Sequence, residues 1–366
     1  MNQRTSIRAG LLLVLVAGLV VGATAVANAD QGADEVTVAL KWLPQAQFAG
    51  YYVAQEMGFY EDERLHVTIL PGGSGQAPED LVAAGAAEFG VTWFGILLEA
   101  RDRGVPLVNI AQVFQSSGYR YITWRDSGIE TPADLRGQTI ETWFGGNEVP
   151  LLALLHKHGV DPNDDLTLES QAFDMDAFLR RSVAASAAMT YNELNVVRES
   201  IVAESLGLSL EELLELTPEA YRAAQRSALP DERLSVFDVN TERVAMLEDM
   251  IFASETFLSS EANRDVAARF VRASLRGWEY ARDHRSEAVD MVLAQGIDAT
   301  MSRLHQSLML DEVIDLIWGS GEALGYLQPS LFEQTADIAL RFGVIQRPAP
   351  ESAYSHEIWE QATGGS

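Results

Sequence analysis

The stretch EVTVALKWLPQAQFAGYYVAQEMGFY, residues 35–60, places a β-strand pattern directly before an aromatic-rich helix pattern. Its first six residues are rich in β-branched side chains, as strands are. Six aromatic residues then fall between positions 41 and 60, although aromatics make up only 8% of the chain. The stretch predicts a strand–helix unit whose aromatic side chains are concentrated where the strand ends.

Strand and helix patterns continue to alternate along the chain. Strands are predicted over 36–40, 65–70, 89–94, 106–114, 119–125, 138–144, 187–192 and 234–239, and the first helices near 48–57, 76–85 and 95–103. The segment 209–225 is amphipathic and is interpreted as a surface helix. After residue 239 the pattern becomes helical, with helices predicted over 244–258, 261–283, 286–294, 302–316 and 329–342. Alternating strands and helices indicate βαβ units on a mostly parallel sheet.

This order predicts an α/β protein with two lobes, each a mostly parallel sheet flanked by helices, joined by two crossing strands that act as a hinge. The crossings are expected near Ser117 and Val236. We predict a signal peptide over 1–29, a first lobe over 30–117 and 237–345, a second lobe over 118–236, and a C-terminal tail over 346–366.

The signal peptide is predicted from three features at the N-terminus. Arg4 and Arg8 precede the apolar run LLLVLVAGLVVGA, and the small residues Ala27 and Ala29 provide a cleavage site. The apolar run is short for a membrane span. We therefore expect an exported, soluble protein, and not a lipoprotein, because the chain has no cysteine to carry a lipid.

Charge and cysteine content exclude several classes of protein. The chain carries 53 acidic and 26 basic residues, a formal net charge of −27. So negative a surface repels phosphate backbones, and nucleic acid is therefore not expected as a partner. The absence of cysteine removes disulfides, thiolate metal sites and cysteine nucleophiles.

Sequence motifs of catalysis are also missing. The chain has no G-x-S-x-G, H-E-x-x-H, P-loop or Rossmann glycine pattern. His156 and His158 end a helix pattern just before Gly159, where helix capping is commoner than metal binding. We therefore expect no enzyme activity, no cofactor and no metal.

Aromatic and polar residues follow four of the predicted strands. In open parallel sheets, ligands bind beyond the carboxyl ends of the strands, so these segments are expected to meet at one crevice. Two of them repeat a Trp-Phe-Gly pattern, at 93–95 and 143–145, which favours a flat aromatic guest even though a single tryptophan there is usually part of the core. The candidate ligand-binding residues of the four segments are Trp42, Trp93, Phe94, Trp143, Gly145, Asn147, Glu148, Tyr191, Asn192 and Glu193.

Two further candidates lie elsewhere. Ser74, in the glycine-rich turn PGGSGQ, is placed to cap a helix beside backbone amides that approach a ligand; a tight turn without a ligand fits this segment equally well. Glu248, in VAMLEDMIF, is included as a candidate, although acids at helix ends more often cap the helix or form ion pairs.

The segments KWLPQAQFAGYYVAQEMGFYEDERLHVTILPGG, DSGIETPADLRGQTIETWFGGNE, MTYNEL and FVRASLRGWEYARDHRSEAVDMVL resemble those of a known family. They are similar to substrate-binding proteins of ABC importers, in the group that shares its fold with the fungal thiamine-pyrimidine synthase, over nearly all of residues 36–345. The resemblance implies a monomeric periplasmic binding protein of type II fold, which closes on a small molecule and delivers it to a permease and its ATPase at the inner membrane. Known members bind pyrimidine precursors of thiamine or riboflavin; more distant ones bind sulfonates, nitrate or taurine.

The residues help to choose among these ligands. A synthase of this fold uses a cysteine-rich motif, a lysine for pyridoxal phosphate and a histidine consumed as substrate, and this chain has no cysteine. An anion site needs arginines or helix N-termini, and the four segments contain no arginine. They favour a planar heterocycle with N–H groups, such as an aminopyrimidine or a flavin, stacked on aromatic rings and bonded to Glu193; a sulfonate, nitrate or taurine site is the alternative.

Overall fold

The computed structural model describes residues 32–73, 75, 77–296 and 302–364. The predicted signal peptide and Ser74 therefore lie outside the described residues. The strands are β1 Asp34–Ala39, β2 Leu65–Leu70, β3 Phe89–Thr92, β4 Leu107–Gln112, β5 Tyr119–Trp124, β6 Thr139–Thr142, β7 Thr167–Ser170, β8 Ala185–Met189, β9 Leu234–Asp238 and β10 Met250–Ser254.

The described part also contains α-helices of four to 23 residues. They are α1 Ala49–Glu56, α2 Phe59–Asp62, α3 Pro78–Ala83, α4 Phe94–Asp102, α5 Val149–Lys157, α6 Asp176–Leu179, α7 Glu193–Leu206, α8 Leu210–Leu214, α9 Pro218–Ala228, α10 Glu261–Asp283, α11 Arg285–Leu293, α12 Arg303–Trp318, α13 Pro329–Arg341 and α14 Glu357–Thr363. None of them is long and apolar enough to cross a membrane.

The strands form two five-stranded sheets, in the orders β2-β1-β3-β10-β4 and β7-β6-β8-β5-β9. In the first sheet, β1 pairs in parallel with β2 and β3, and β10 is antiparallel to both of its neighbours. In the second, β6 pairs in parallel with β7 and β8, and β5 is antiparallel to both of its neighbours. Four strands of each sheet thus run the same way, and the predicted two-lobed α/β fold with mostly parallel sheets is confirmed.

The chain passes from the first sheet to the second between β4 and β5 and returns between β9 and β10. Ser117 lies in the first passage, whereas Val236 lies within β9, before the second passage begins. Strand residues are largely buried: all six residues of β4, at the edge of the first sheet, and all five of β8, in the middle of the second, are buried. Strands buried on both faces are typical of sheets covered by helices on both sides.

Most aromatic residues of the opening stretch are buried in the core. Tyr51 lies edge-on to Trp278, and Tyr60 stacks on Phe270. The helix α10 therefore covers the helix α1 through aromatic side chains. Phe48, Tyr52 and Phe59 are buried as well.

One predicted helix is wrong. The segment 244–258 is predicted to be helical, but it contains the strand β10, which completes the first sheet, and its last two residues belong to a short 3₁₀ helix. Its sequence begins VAMLEDMIFASET and has apolar residues spaced as on a helix, a pattern that puts Glu248 and Asp249 on the exposed face. Both acids are in fact buried, and the strand pairing determines the conformation.

Smaller differences concern three other segments. The strand β7 was not predicted, since its sequence TLES is mostly polar and exposed at the sheet edge. The predicted helix 209–225 is two helices, α8 and α9, each with its own N-cap at Ser209 and Thr217. The segment predicted as a tail includes α14, which packs its buried Trp359 against Tyr326.

The helix α12 joins two hydrophobic clusters. Leu304 and Leu308, near its start, pack with residues of α7, α8 and α9, which flank the second sheet. Met309, Val313 and Ile317 belong to the large cluster that includes the first sheet. The helix therefore lies against both halves of the fold, next to the site described below.

Candidate ligand-binding site

A cleft of about 530 Å³ lies where the two sheets present the carboxyl ends of their parallel strands. Its volume is typical of a site for a small organic molecule. The residues that line it follow β1, β2 and β3 on one side and β6, β7 and β8 on the other. They are Lys41, Trp42, Gln45, Gln47, Gly73, Gly75, Ala77, Pro78, Glu79, Asp80, Trp93, Ile96, Trp143, Gly145, Asn147, Phe173, Met189, Tyr191, Asn192 and Glu193.

Gly72 determines where Lys41 and Trp42 enter the cleft. Its amide donates to the carbonyl of Trp42 at 2.9 Å, and a Cβ at this position would lie 2.2 Å from the carbonyl oxygen of Leu40. Only glycine permits so close an approach of two chain segments. The glycine-rich turn is thus explained by packing against the end of β1.

Behind the first wall, Asp249 accepts two hydrogen bonds. One comes from the indole N–H of Trp93 at 3.0 Å and the other from the amide of Gln47 at 2.7 Å. The Gln47 carbonyl in turn accepts from the amide of Gln45 at 2.5 Å. This relay fixes the plane of the Trp93 ring and the orientation of both glutamines.

The first wall carries two opposite charges. The Lys41 ammonium lies 4.8 Å from the centre of the Trp93 ring, a cation–π contact. Burial lowers the pKa of Lys41, while nearby Glu79, Asp249 and Glu248 oppose that shift. Glu79, in the first turn of α3, is only 5% exposed, and its Oε1 atom has no hydrogen-bond partner in the described structure.

The second wall is built around Trp143. Its indole N–H donates to the carbonyl of Ala172 at 3.2 Å, which holds the adjacent residue Phe173 in place. Phe173 is 66% exposed, and its ring lies 4.8 Å from that of Trp42 on the opposite wall. The two walls therefore touch through an aromatic pair at the cleft.

Asn147 follows Trp143 through a turn that needs glycine. Gly145 and Gly146 have φ angles of +88° and +94°, which residues with a Cβ rarely adopt. The Asn147 amide donates to the carbonyl of Phe144 at 3.3 Å, so its Oδ1 atom is left as an acceptor; that atom is buried and has no partner among the described residues.

A hydrogen-bond chain closes the far end of the cleft. Glu193 accepts from the backbone amide of Met189 at 3.0 Å and from the Asn192 side chain at 2.9 Å. The side-chain oxygen of Asn192 lies 2.9 Å from Nε2 of His305, in α12. The second ring nitrogen of His305, Nδ1, lies 2.9 Å from a carboxylate oxygen of Glu199.

These contacts shift the pKa of two members of the chain. Burial raises the pKa of Glu193, although the hydrogen bond from the Met189 amide acts to lower it. Burial lowers the pKa of His305, but the hydrogen bond and charge of Glu199 outweigh it, so the net pKa is raised. An imidazolium that donates from both nitrogens satisfies Glu199 and Asn192 together.

The cleft brings together most of the residues selected from the sequence. Those that line it are Trp42, Trp93, Trp143, Gly145, Asn147, Tyr191, Asn192 and Glu193.

Three candidates do not line the cleft. Phe94 is fully buried against Phe332. Glu148 turns back to accept from the amide of Gly146 at 2.9 Å. Glu248 accepts from the hydroxyl of Ser117 and, at 2.8 Å, from the amide of Gly118.

Sequence reasoning missed several residues of the site. Lys41 and Gln45 stand inside the quoted opening stretch, and their position after a strand was the available signal. Glu79 and Phe173 had no such signal, since Glu79 lies in the first turn of the helix α3 and Phe173 follows β7, the strand that was not predicted. Asp249 stands next to Glu248 in the segment VAMLEDMIF and is not among the selected candidates.

The two sheets, the flanking helices and the cleft between them form the fold of the two-lobed periplasmic binding proteins. The sequence profile of the NMT1/THI5-like family matches residues 45–288, and the chain belongs to this family.

Two characterised relatives match over most of their length. The chain is 26% identical to the riboflavin-binding protein RibY of Chloroflexus aurantiacus, over 93% of this chain and 89% of that protein. It is 24% identical to the formylaminopyrimidine-binding protein of Halalkalibacterium halodurans, over 77% of each chain.

The fold is also found among solved structures. The periplasmic aliphatic sulphonate-binding protein SsuA of Escherichia coli superimposes with a TM-score of 0.58 and 15% identity, over 86% of this chain and 90% of that chain. At this identity the likeness concerns the fold and not the ligand.

Proposed function

We propose that this protein is the extracytoplasmic solute-binding component of an ABC importer and that its cleft captures a planar heteroaromatic molecule, such as a pyrimidine precursor of thiamine or a riboflavin-like ring. The observation that carries the proposal is the set of aromatic side chains that line the cleft from both sides: Trp42 and Trp93 on the first wall, Trp143, Phe173 and Tyr191 on the second.

The energy of such a site is sufficient for specific capture. Each aromatic stack contributes about 0.5–1.5 kcal/mol beyond area burial, and a hydrogen bond to a charged group about 1.5–3 kcal/mol. Three stacks and one such bond, added to the buried area of the ring, reach the roughly −8 kcal/mol that corresponds to micromolar binding.

The names of the two relatives support the same class of ligand. One binds riboflavin and the other a formylaminopyrimidine, and both molecules are planar, nitrogen-containing rings. Both relatives are binding proteins, which supports a binding role for this chain in preference to a synthase activity.

The charges of the cleft argue against an anionic ligand. Among the described residues that line it, Lys41 is the single basic side chain, whereas Glu79, Asp80 and Glu193 are acidic. A sulfonate or nitrate would lie among carboxylates with no arginine to bind it. We therefore place sulfonates, taurine and nitrate second to heteroaromatic rings.

Closure of the two lobes would signal the bound state to the permease. A ligand that contacts both walls stabilises the closed state in proportion to its additional contacts there. The proposed boundaries, 30–117 with 237–345 and 118–236, put Trp93 and Trp143 on opposite lobes. Cleavage of the signal after Ala29 would release the protein, which we propose acts as a periplasmic monomer.

A thermal-shift panel tests the ligand class. The melting temperature should rise with an aminopyrimidine or riboflavin and stay unchanged with taurine, nitrate and alkanesulfonates. Small-angle scattering of the same samples should show a smaller radius of gyration only with the stabilising ligand. A saturable rise with an alkanesulfonate alone would refute the proposed ligand class.

A further inference from the structure

The cleft contains three buried acceptor oxygens that no described residue satisfies. They are Oε1 of Gln45, Oε1 of Glu79 and Oδ1 of Asn147, and all three residues line the cleft. A buried polar atom without a partner is costly and uncommon in native proteins. Three of the same chemical kind in one cleft indicate a guest that supplies hydrogen-bond donors.

The orientation of Gln45 follows from Asp249. The Asp249 carboxylate can only accept, so Gln47 must turn its NH₂ group toward it and its carbonyl toward Gln45. Gln45 must then donate to Gln47, which leaves its own carbonyl as the free group. Through Gln47, the buried Asp249 therefore makes the side-chain oxygen of Gln45 the acceptor at the cleft end of this relay.

Glu79 is the charged member of the set. It is nine-tenths buried, lines the cleft, and accepts no hydrogen bond from Lys41 or from any other described residue at Oε1. Lys41 instead lies over the face of Trp93. The first wall thus offers the Glu79 carboxyl oxygen as an acceptor and, beside it, the Lys41 amino group as a donor, which matches a ring edge where an amino group adjoins a ring nitrogen.

We infer that Glu79 is a specificity-determining residue that accepts a hydrogen bond from an amino group on the bound ring. The side-chain carbonyls of Gln45 and Asn147 accept from further N–H groups of the same ring. The inference rests on the proposed function and narrows it, because a ring edge made of carbonyl groups would leave these oxygens unpaired. A site built to bond an N–H group rejects analogues that lack it.

Calorimetric titrations with two matched ligands test this role. The probes are 4-amino-5-hydroxymethyl-2-methylpyrimidine and the same ring without the amino group, and the proteins are the unsubstituted chain, Glu79→Gln and Glu61→Gln. Glu61 is the matched control, since it is also a glutamate in the first turn of a helix, α2, but it is exposed and does not line the cleft. We expect Glu79→Gln to weaken binding of the ligand with the amino group about ten- to a hundredfold. The affinity for the ligand without it and the melting temperature of the empty protein should stay nearly unchanged.

Several results would overturn the inference. If Glu79→Gln weakened the binding of both ligands equally, Glu79 would not contact the amino group. An equal effect of Glu61→Gln would mean that Glu79 acts only through the overall charge of the protein. If the unsubstituted protein binds riboflavin but does not distinguish the two pyrimidines, the inference fails and the proposed function stands; if it binds none of the three, both fail.

Discussion

Glu248 and Asp249 are adjacent acids, both buried, that support different regions of the molecule. Glu248 accepts hydrogen bonds from Ser117 and Gly118, where the chain crosses from the first sheet to the second. Asp249 accepts from Gln47 and Trp93, behind the first wall of the cleft. Successive side chains of an extended chain point to opposite sides, so one segment serves the crossing and the cleft together.

The comparison shows how a fixed carboxylate can organise a site without lining it. Glu248 was selected from the sequence as a ligand contact, and the structure places it at the crossing. Asp249 determines the orientation of a tryptophan and two glutamines that do line the cleft. The two acids should therefore respond differently to substitution, one in stability and the other in ligand binding.

The largest expected effect is a loss of stability on Glu248→Ala. The change would leave the buried hydroxyl of Ser117 and the amide of Gly118 without an acceptor, at a cost of about 3 kcal/mol in the free energy of unfolding. Denaturant unfolding of this variant and of Asp249→Asn would measure it. If both variants lost the same free energy of unfolding, Glu248 and Asp249 would not have the different roles proposed here.

The same carboxylate should make stability depend on pH. Burial raises the pKa of Glu248 to about 7, although the hydrogen bonds from Ser117 and Gly118 oppose the shift. The folded state therefore holds the proton more tightly than the unfolded state, and this contribution to stability is full below about pH 4.5 and lost as the pH rises through 7.

The pH effect can be isolated by difference. The free energy of unfolding of the unsubstituted protein, minus that of Glu248→Gln, should fall between pH 5 and 8. Burial raises the pKa of Asp249 to about 6, and its charge adds to the raised pKa of Glu248, so the difference reports Glu248 together with its interaction with Asp249. A difference that rises with pH would show that Glu248 is ionised and stabilised at the crossing.

Ligand binding should depend on one tryptophan from each wall. Trp93→Ala and Trp143→Ala each remove a stack and its buried area, which we expect to cost about 2 kcal/mol, or about thirtyfold in affinity. Trp318→Ala is the control, because this half-buried ring contacts Arg282 away from the cleft. Full affinity in either cleft variant would argue against a guest that bridges both walls.

The smallest expected effect is also the most specific. In Asp249→Asn the side-chain oxygen can still accept from Trp93, but the new NH₂ group faces Gln47 and reverses the relay. Gln45 then presents an NH₂ group where it now presents a carbonyl. The affinity of this variant for an aminopyrimidine should fall about tenfold, with little change in its melting temperature. Its affinity for an analogue with a carbonyl in place of the amino group should fall less.

Much of this molecule could be predicted from sequence because its signals are local. Strand residues followed by Trp42, Trp93, Trp143 and Tyr191 indicated both the α/β order and the strand-end crevice. The strand β10 could not be predicted, since the helical spacing of its apolar residues is overridden by pairing with β3 and β4. Glu79, in α3, and Phe173, after β7, reach the cleft only because of the way the whole chain folds, which no local pattern indicates.

Native mass spectrometry of the protein purified from its own cells tests the central claim most directly. The account predicts a retained small molecule whose mass and ultraviolet spectrum identify a planar nitrogen heterocycle, and which is lost from Trp93→Ala purified in parallel. A retained alkanesulfonate, taurine or nitrate would contradict it.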